Sequence, residues 1–123
     1  MAEFETMQSL KERADSTQIE VVTLQQLREA LGYKKLGPRV LNDVAQKLAG
    51  QGLGYFPRHV IDNNDLPRAW EEVRVYPKDS PVGKVIQAVM EPTETGDRYL
   101  LEASGSDSSA AEVLDSIRAL LGE

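Results

Sequence analysis

A chain of 123 residues with 41% hydrophobic and 28% charged side chains is long enough to bury one core and ordinary in composition for a globular domain. Its formal net charge is −6 and it contains no cysteine, which excludes disulfides, cysteine-ligated zinc and thiol catalysis. The opening MAEFETMQSL lacks a basic n-region, and no apolar segment nears the roughly 20 residues a membrane helix needs, so a cytoplasmic address without a membrane partner is expected.

Phe4, Met7, Leu10 and Ala14 recur at helical spacing and predict a first helix over about residues 3–14, after which Ala14 to Gln18 breaks the pattern. Ile19 to Thr23 is short and β-branched, which suits a brief strand. Thr23 has the chemistry of an N-cap. Gln26 stands three residues on and completes a capping box, while Val22 and Leu27 are spaced for a hydrophobic staple. A second helix is therefore expected from Leu24 to about Leu31, stopped by Gly32.

Pro38 suits the first position of a third helix, because its missing N–H is one that the helix start leaves unpaired anyway. That helix is expected to run to about Ala49, with Val40, Leu41, Val44, Ala45 and Leu48 inward and the glycines of Gly50 to Gly54 ending it. Tyr55 to Ile61 reads as a strand in which Pro57 implies an edge or a bulge. Asp62 to Pro67 is rich in turn formers, and Trp70 to Tyr76 reads as the returning strand. Ser80 and Pro81 open a further helix that Pro92 stops; Thr93 to Asp97 reads as a loop, and Tyr99 to Leu101 fits strand or helix. After the flexible run Ser104 to Ser108, Ser109 and Glu112 form another capping box ahead of an amphipathic helix.

The charge is unevenly spread. Residues 32–84 carry nine cations against six anions, while the segments on either side are net acidic. A basic middle between acidic ends is a dipolar pattern, and its densest point is Lys34, Lys35 and Arg39 at the start of the third helix.

Residues 3–77, in the order helix, strand, helix, helix, strand, turn-rich loop, strand, resemble a winged helix-turn-helix domain. VVTLQQLREALG matches its strand and second helix, LGPRVLNDVAQKLAGQGL its third helix, and GYFPRHVIDNNDLPRAWEEVRVYP its wing hairpin. The resemblance implies an α+β winged helix-turn-helix domain over residues 1–78. Residues 79–123 would then be a C-terminal helical extension, packed on the domain or dimerising. It also implies a third helix lying in the DNA major groove and a wing on the backbone or minor groove.

Double-stranded DNA is then the expected partner. Phosphate neutralisation supplies most of DNA affinity, and a helix N-terminus favours anions. Lys34, Lys35 and Arg39 would meet phosphate there. Arg39, Asn42, Gln46 and Lys47 lie outside the apolar stripe, and Arg, Asn and Gln are the groups that read guanine and adenine edges. Arg58, His59 and Arg68 would make the wing basic as well. About six phosphate contacts would give a log–log salt slope near −5. Asp43 is discordant, since an anion there costs affinity unless it meets a cytosine amine or pairs with Arg39 or Lys47.

Plainer readings stand beside these. The three cations suit a solvated loop as well as a phosphate site, and His59 with Asp62 and Asp65 is turn chemistry before it is a metal site. Tyr55, Phe56, Trp70 and Tyr76 are expected in core and hairpin packing. No nucleophile motif surrounds any serine and no phosphate loop is present, so neither an enzyme nor a cofactor is expected. The reading is a sequence-specific transcriptional regulator, with homodimerisation through Val113, Leu114, Ile117, Leu120 and Leu121. A winged-helix module that docks proteins instead of DNA is the alternative.

Overall fold

The computed structural model describes residues 4–103, a small mixed α+β arrangement with one three-stranded antiparallel sheet and five α-helices among those residues. Helix α1 spans Met7–Thr17. Thr6 caps it: its hydroxyl accepts from the Ser9 N–H (3.1 Å) and the Ser9 hydroxyl accepts from the Thr6 N–H (3.0 Å). The helix runs three residues past its expected end. Nothing in Asp15 to Thr17 forbids helical backbone, and the turn that stops it is Gln18, at φ 75°.

Strand β1 (Glu20–Thr23) runs straight into α2 (Leu24–Ala30) through the expected capping box. Thr23 Oγ1 accepts from the Gln26 N–H at 3.1 Å, and Gln26 Oε1 accepts from the Thr23 N–H at 2.9 Å. Leu31 and Gly32, the latter at φ 80°, turn the chain out of α2. Helix α3 spans Pro38–Gly50 with Pro38 at its first position. It is followed by β2 (Leu53–Phe56), a 3-10 turn (Arg58–Val60) and β3 (Glu72–Pro77).

Two strand boundaries differ from expectation. Strand β2 begins two residues earlier than Tyr55 and stops at Phe56, because Pro57 has no N–H to give the sheet and the backbone then coils into the 3-10 turn. Strand β3 begins at Glu72 rather than Trp70, because the residues before it serve α2. The Leu24 N–H donates to the Glu71 carbonyl (2.9 Å) and the Gln25 N–H to the Ala69 carbonyl (3.0 Å), which satisfies two donors at the helix start.

The sheet order is β1-β3-β2, with Val22 opposite Val73 and Tyr55 opposite Val75. Its inner face packs on α1, α2 and α3 through Leu10, Val22, Leu27, Val44, Leu48, Val73 and Val75, all fully buried. Each such side chain contributes about 1.5–3 kcal/mol over an exposed one. Helix α4 (Pro81–Met90) starts at the expected Ser80 cap, whose hydroxyl accepts from the Gly83 N–H at 2.9 Å. The expected loop at Thr93 to Asp97 is instead the start of α5 (Glu94–Ala103), capped by the Thr93 hydroxyl accepting from the Gly96 N–H. Ala88, Val89 and Leu100 join α4 and α5 in a second apolar cluster. No helix among the described residues is long and apolar enough to cross a membrane.

The opposite face of the sheet is organised by one glycine. Gly54 is the cross-strand partner of Tyr76, and the Tyr76 ring lies where a Cβ at Gly54 would be. The ring is buried, and its hydroxyl accepts from Gln87 Nε2 of α4 at 3.0 Å. A methyl group at position 54 must displace that ring. Gly54→Ala is therefore expected to destabilise the fold by about 1–3 kcal/mol, the usual range for overpacking, measured by urea denaturation.

Candidate functional site

Helix α3 is held by Leu41, Val44 and Leu48, each at most 1% exposed. Rotating the helix by one residue would bring all three into water, so its outer arc is fixed. That arc has two flanks. Arg39, Asp43 and Lys47 follow one another at four-residue intervals and face the turn that joins α2 to α3, while Asn42 and Gln46 face β2 and the 3-10 turn.

The cationic flank is braced by the preceding turn. Arg28 Nη1 donates to the Lys34 carbonyl at 2.7 Å, and the Tyr33 hydroxyl donates to Asp43 Oδ2 at 2.7 Å. The hydrogen bond to Asp43 raises the Tyr33 pKa above its ordinary value. Asp43, discordant in the sequence, is thus engaged by a neutral donor and ties the turn to the helix. Lys34, Lys35, Arg39 and Lys47 are exposed and form no ion pair with another described residue.

The amide flank meets Arg58. Asn42, Gln46 and Arg58 line one groove of about 300 Å³ between α3 and β2, with Tyr76, Lys78 and Gln87 on its far wall. Arg58 is not a free cation. Its Nε donates to Asp62 Oδ2 at 2.9 Å, its Nη1 lies 4.0 Å from Glu91, and its guanidinium carbon stacks 5.1 Å from the Tyr55 ring centre. The Tyr55 hydroxyl donates to the other oxygen of Asp62.

Arg68 sits in a different recess, with Leu36, Gly37 and Pro38 at the N-terminus of α3. It is exposed and makes no ion pair with the described residues, but Asp65 lines the same recess. His59 is exposed on the 3-10 turn. No group of three or more His, Asp or Glu side chains comes together among the described residues. The nine expected contacts therefore divide into a turn and helix set (Lys34, Lys35, Arg39, Asn42, Gln46, Lys47), an ion-paired Arg58, and His59 and Arg68 on the connection between β2 and β3. The apolar stripe from Val113 to Leu121 lies outside the described residues.

The expected packing of Trp70 does not hold. Trp70 is 74% exposed and Leu66 is 76% exposed. Trp70 is expected to open the returning strand, but the carbonyls on either side of it are taken by α2, and this holds its indole outside the sheet. The backbone is fastened around both side chains. The Leu66 N–H donates to Asn64 Oδ1 (3.1 Å) and the Arg68 N–H to Glu71 Oε1 (2.8 Å). Sequence gave no sign either that Tyr76, Lys78 and Gln87 would converge on the amide flank, since that requires the β2–β3 register and the position of α4.

Comparisons with protein-family models, with curated proteins and with solved structures find no match to this chain.

Burial and the Asp62 carboxylate push the Tyr55 hydroxyl up to about 12, and burial pushes Tyr76 up to about 12. Unfolded tyrosine titrates near 10. Both groups hold their protons more tightly when folded, so their contribution is complete below about pH 10 and is lost as pH rises through about 12. Urea unfolding is expected to show stability falling between about pH 10 and about pH 12, with a shallower fall in the Tyr55→Phe/Tyr76→Phe double variant.

Proposed function

We propose that the chain is a winged helix-turn-helix module that binds double-stranded DNA as a sequence-specific regulator, with α3 in the major groove. The observation that carries this reading is the outer arc of α3. Three buried apolar anchors fix the helix, and the side chains left outside are Arg39, Asn42, Gln46 and Lys47, with Asp43 among them bound to Tyr33. These groups match the donor and acceptor patterns of guanine and adenine edges and of phosphates. The order α1-β1-α2-α3-β2-β3 with β3 central agrees with a winged helix over residues 1–78, the following helices forming an extension.

The positive charge supports the same reading, at reduced strength. Lys34, Lys35, Arg39, Lys47 and Arg68 are free of ion pairs with described residues, whereas Arg58 is matched by Asp62. Five phosphate contacts give a log–log salt slope near −4.5, at about −0.9 per contact. A local field, not the net charge of −6, is what a phosphate meets at α3.

A second reading, a module of this fold that docks protein, is favoured by Leu66 and Trp70, whose exposure has no packing purpose within the described residues. Trp70 is the sole tryptophan, so its emission reports on that surface alone. A bound protein covering it should shift the emission to shorter wavelength, and Trp70→Ala together with Leu66→Ala should abolish the interaction while leaving DNA affinity within about twofold.

The DNA reading is tested by selection from random duplexes at about 150 mM salt, followed by binding titrations over a salt series. Arg39→Ala and Gln46→Ala are expected to relax base preference by about 1–3 kcal/mol at individual positions. Lys35→Ala is expected to weaken binding to every sequence and to reduce the salt slope by about one. Undiminished affinity in the Lys35→Ala/Arg39→Ala double variant would remove this site.

A further inference from the structure

The groove on the amide flank of α3 has an imbalance of donors over acceptors. Asp62 is its single lining carboxylate, and both oxygens are occupied, Oδ1 by the Tyr55 hydroxyl and Oδ2 by Arg58 Nε. The donors opposite are not matched in this way. Tyr76 is 1% exposed, and its oxygen accepts from Gln87 Nε2, leaving the hydroxyl proton without an acceptor among the described residues. Arg58 is ion-paired, but only its Nε hydrogen-bonds a carboxylate: Nη1 is 4.0 Å from Glu91, beyond hydrogen-bond range. Lys78 is exposed on the same wall with no ion pair to a described residue. Arg58 and Lys78 against Asp62 leave the lining with one net positive charge.

A buried hydroxyl proton and two cations facing one space select for negatively charged oxygen. The rest of the lining is different in kind. Ala45, Ala49 and Leu53 form an apolar floor along α3 and β2. The groove volume of about 300 Å³ lies at the small end of the range for ligand pockets, about 300–1,000 Å³. Chloride or inorganic phosphate would leave that floor wet. An anion carrying a compact apolar body would cover it.

We infer that this groove binds a small organic oxyanion, a carboxylate or a phosphate monoester, with its charged oxygens on the Tyr76 hydroxyl, Arg58 and Lys78 and its body against Ala45 and Ala49. Asn42 and Gln46 form the rim, so an occupant covers the amides assigned above to base reading. That consequence, competition with DNA, rests on the DNA reading; the ligand site itself does not.

The test is a titration of the ¹⁵N-labelled full chain with sodium benzoate, phenyl phosphate and inorganic phosphate, each monitored by two-dimensional NMR. Saturable shifts are expected at the side-chain amides of Gln46 and Gln87 and at Arg58 Nε with benzoate or phenyl phosphate. Affinity should fall at least tenfold in Tyr76→Phe, which keeps the ring, and in Lys78→Ala, which alters only an exposed side chain. Inorganic phosphate should bind at least tenfold more weakly than phenyl phosphate; equal affinity would overturn the assignment of an organic ligand. The site is likewise overturned if neither organic probe gives saturable shifts, or if both variants bind them as the wild type does. The probes also separate the two sources of charged oxygen, since benzoate alone, phenyl phosphate alone, or both will saturate. In a parallel arm, the selected duplex is titrated with and without saturating probe. Groove shifts in a chain that binds no duplex would remove the DNA reading and leave the ligand site standing.

Discussion

Pairing of β3 on both edges is the constraint from which the rest of the arrangement follows. Glu72–Pro77 must satisfy β1 on one side and β2 on the other, and each neighbour is covalently continuous with a helix of the candidate site. Thr23 is at once the last residue of β1 and the cap of α2, so the Thr23–Glu72 register sets where α2 begins. On the other edge, β2 follows α3 after a single tight turn at Gly52, φ 73°. The position of α3 is therefore a consequence of which residues of β2 face β3. A slip of one residue would turn Val73 and Val75 out of the core and carry the outer arc of α3 with them.

Much of this was legible in the sequence where the deciding chemistry is local. A capping box needs only two side chains three residues apart, and Thr23 with Gln26 forms one in the structure as the spacing indicated. Pro38 and Ser80–Pro81 open their helices for equally local reasons. The misreadings occur where a distant part of the chain decides. Thr93 to Asp97 is a glycine among four polar residues, yet Thr93 supplies a cap and Leu100 a buried anchor against α4, and the segment is helical from Glu94. Trp70 has the composition of a strand residue, but its neighbouring carbonyls belong to α2. The candidate site divides the same way. The exposed set on α3 followed from helical periodicity, whereas the pairing of Arg58 with Asp62 is the work of a 3-10 turn that periodicity does not reveal.

Electrostatics sharpen the contrast between the two flanks of α3. On the side of Tyr33, the one acidic group accepts from a neutral hydroxyl and forms no ion pair with Arg39 or Lys47, so its single negative charge stands between two positive ones. On the side of β2, Asp62 draws Arg58 down onto the Tyr55 ring, while Asp65 lines the recess of Arg68 at the N-terminus of α3. A polyanion approaching the molecule meets exposed, unpaired cations along the first flank and a hydrogen-bonding surface of smaller positive charge, Arg58 and Lys78 against Asp62, along the second. On the DNA reading, affinity and base discrimination would come from different edges of one helix, the phosphates on the cationic edge and the bases on the amide edge.

Placing the groove on that amide edge has a mechanistic consequence. Regulation of a binding helix from a remote pocket needs two conformations and a ligand that prefers one of them. Asn42 and Gln46 line the groove, so on the DNA reading a ligand and a duplex would compete for the same atoms and no second conformation would be required. The buried anchors Leu41, Val44 and Leu48 argue for this simpler mode, because a helix held by three fully buried side chains resists displacement. Direct competition also limits the effect: it scales as one plus the ratio of ligand concentration to its dissociation constant, and it vanishes when the ligand is removed. Control of that kind would therefore be graded with ligand concentration instead of switching the helix between two states.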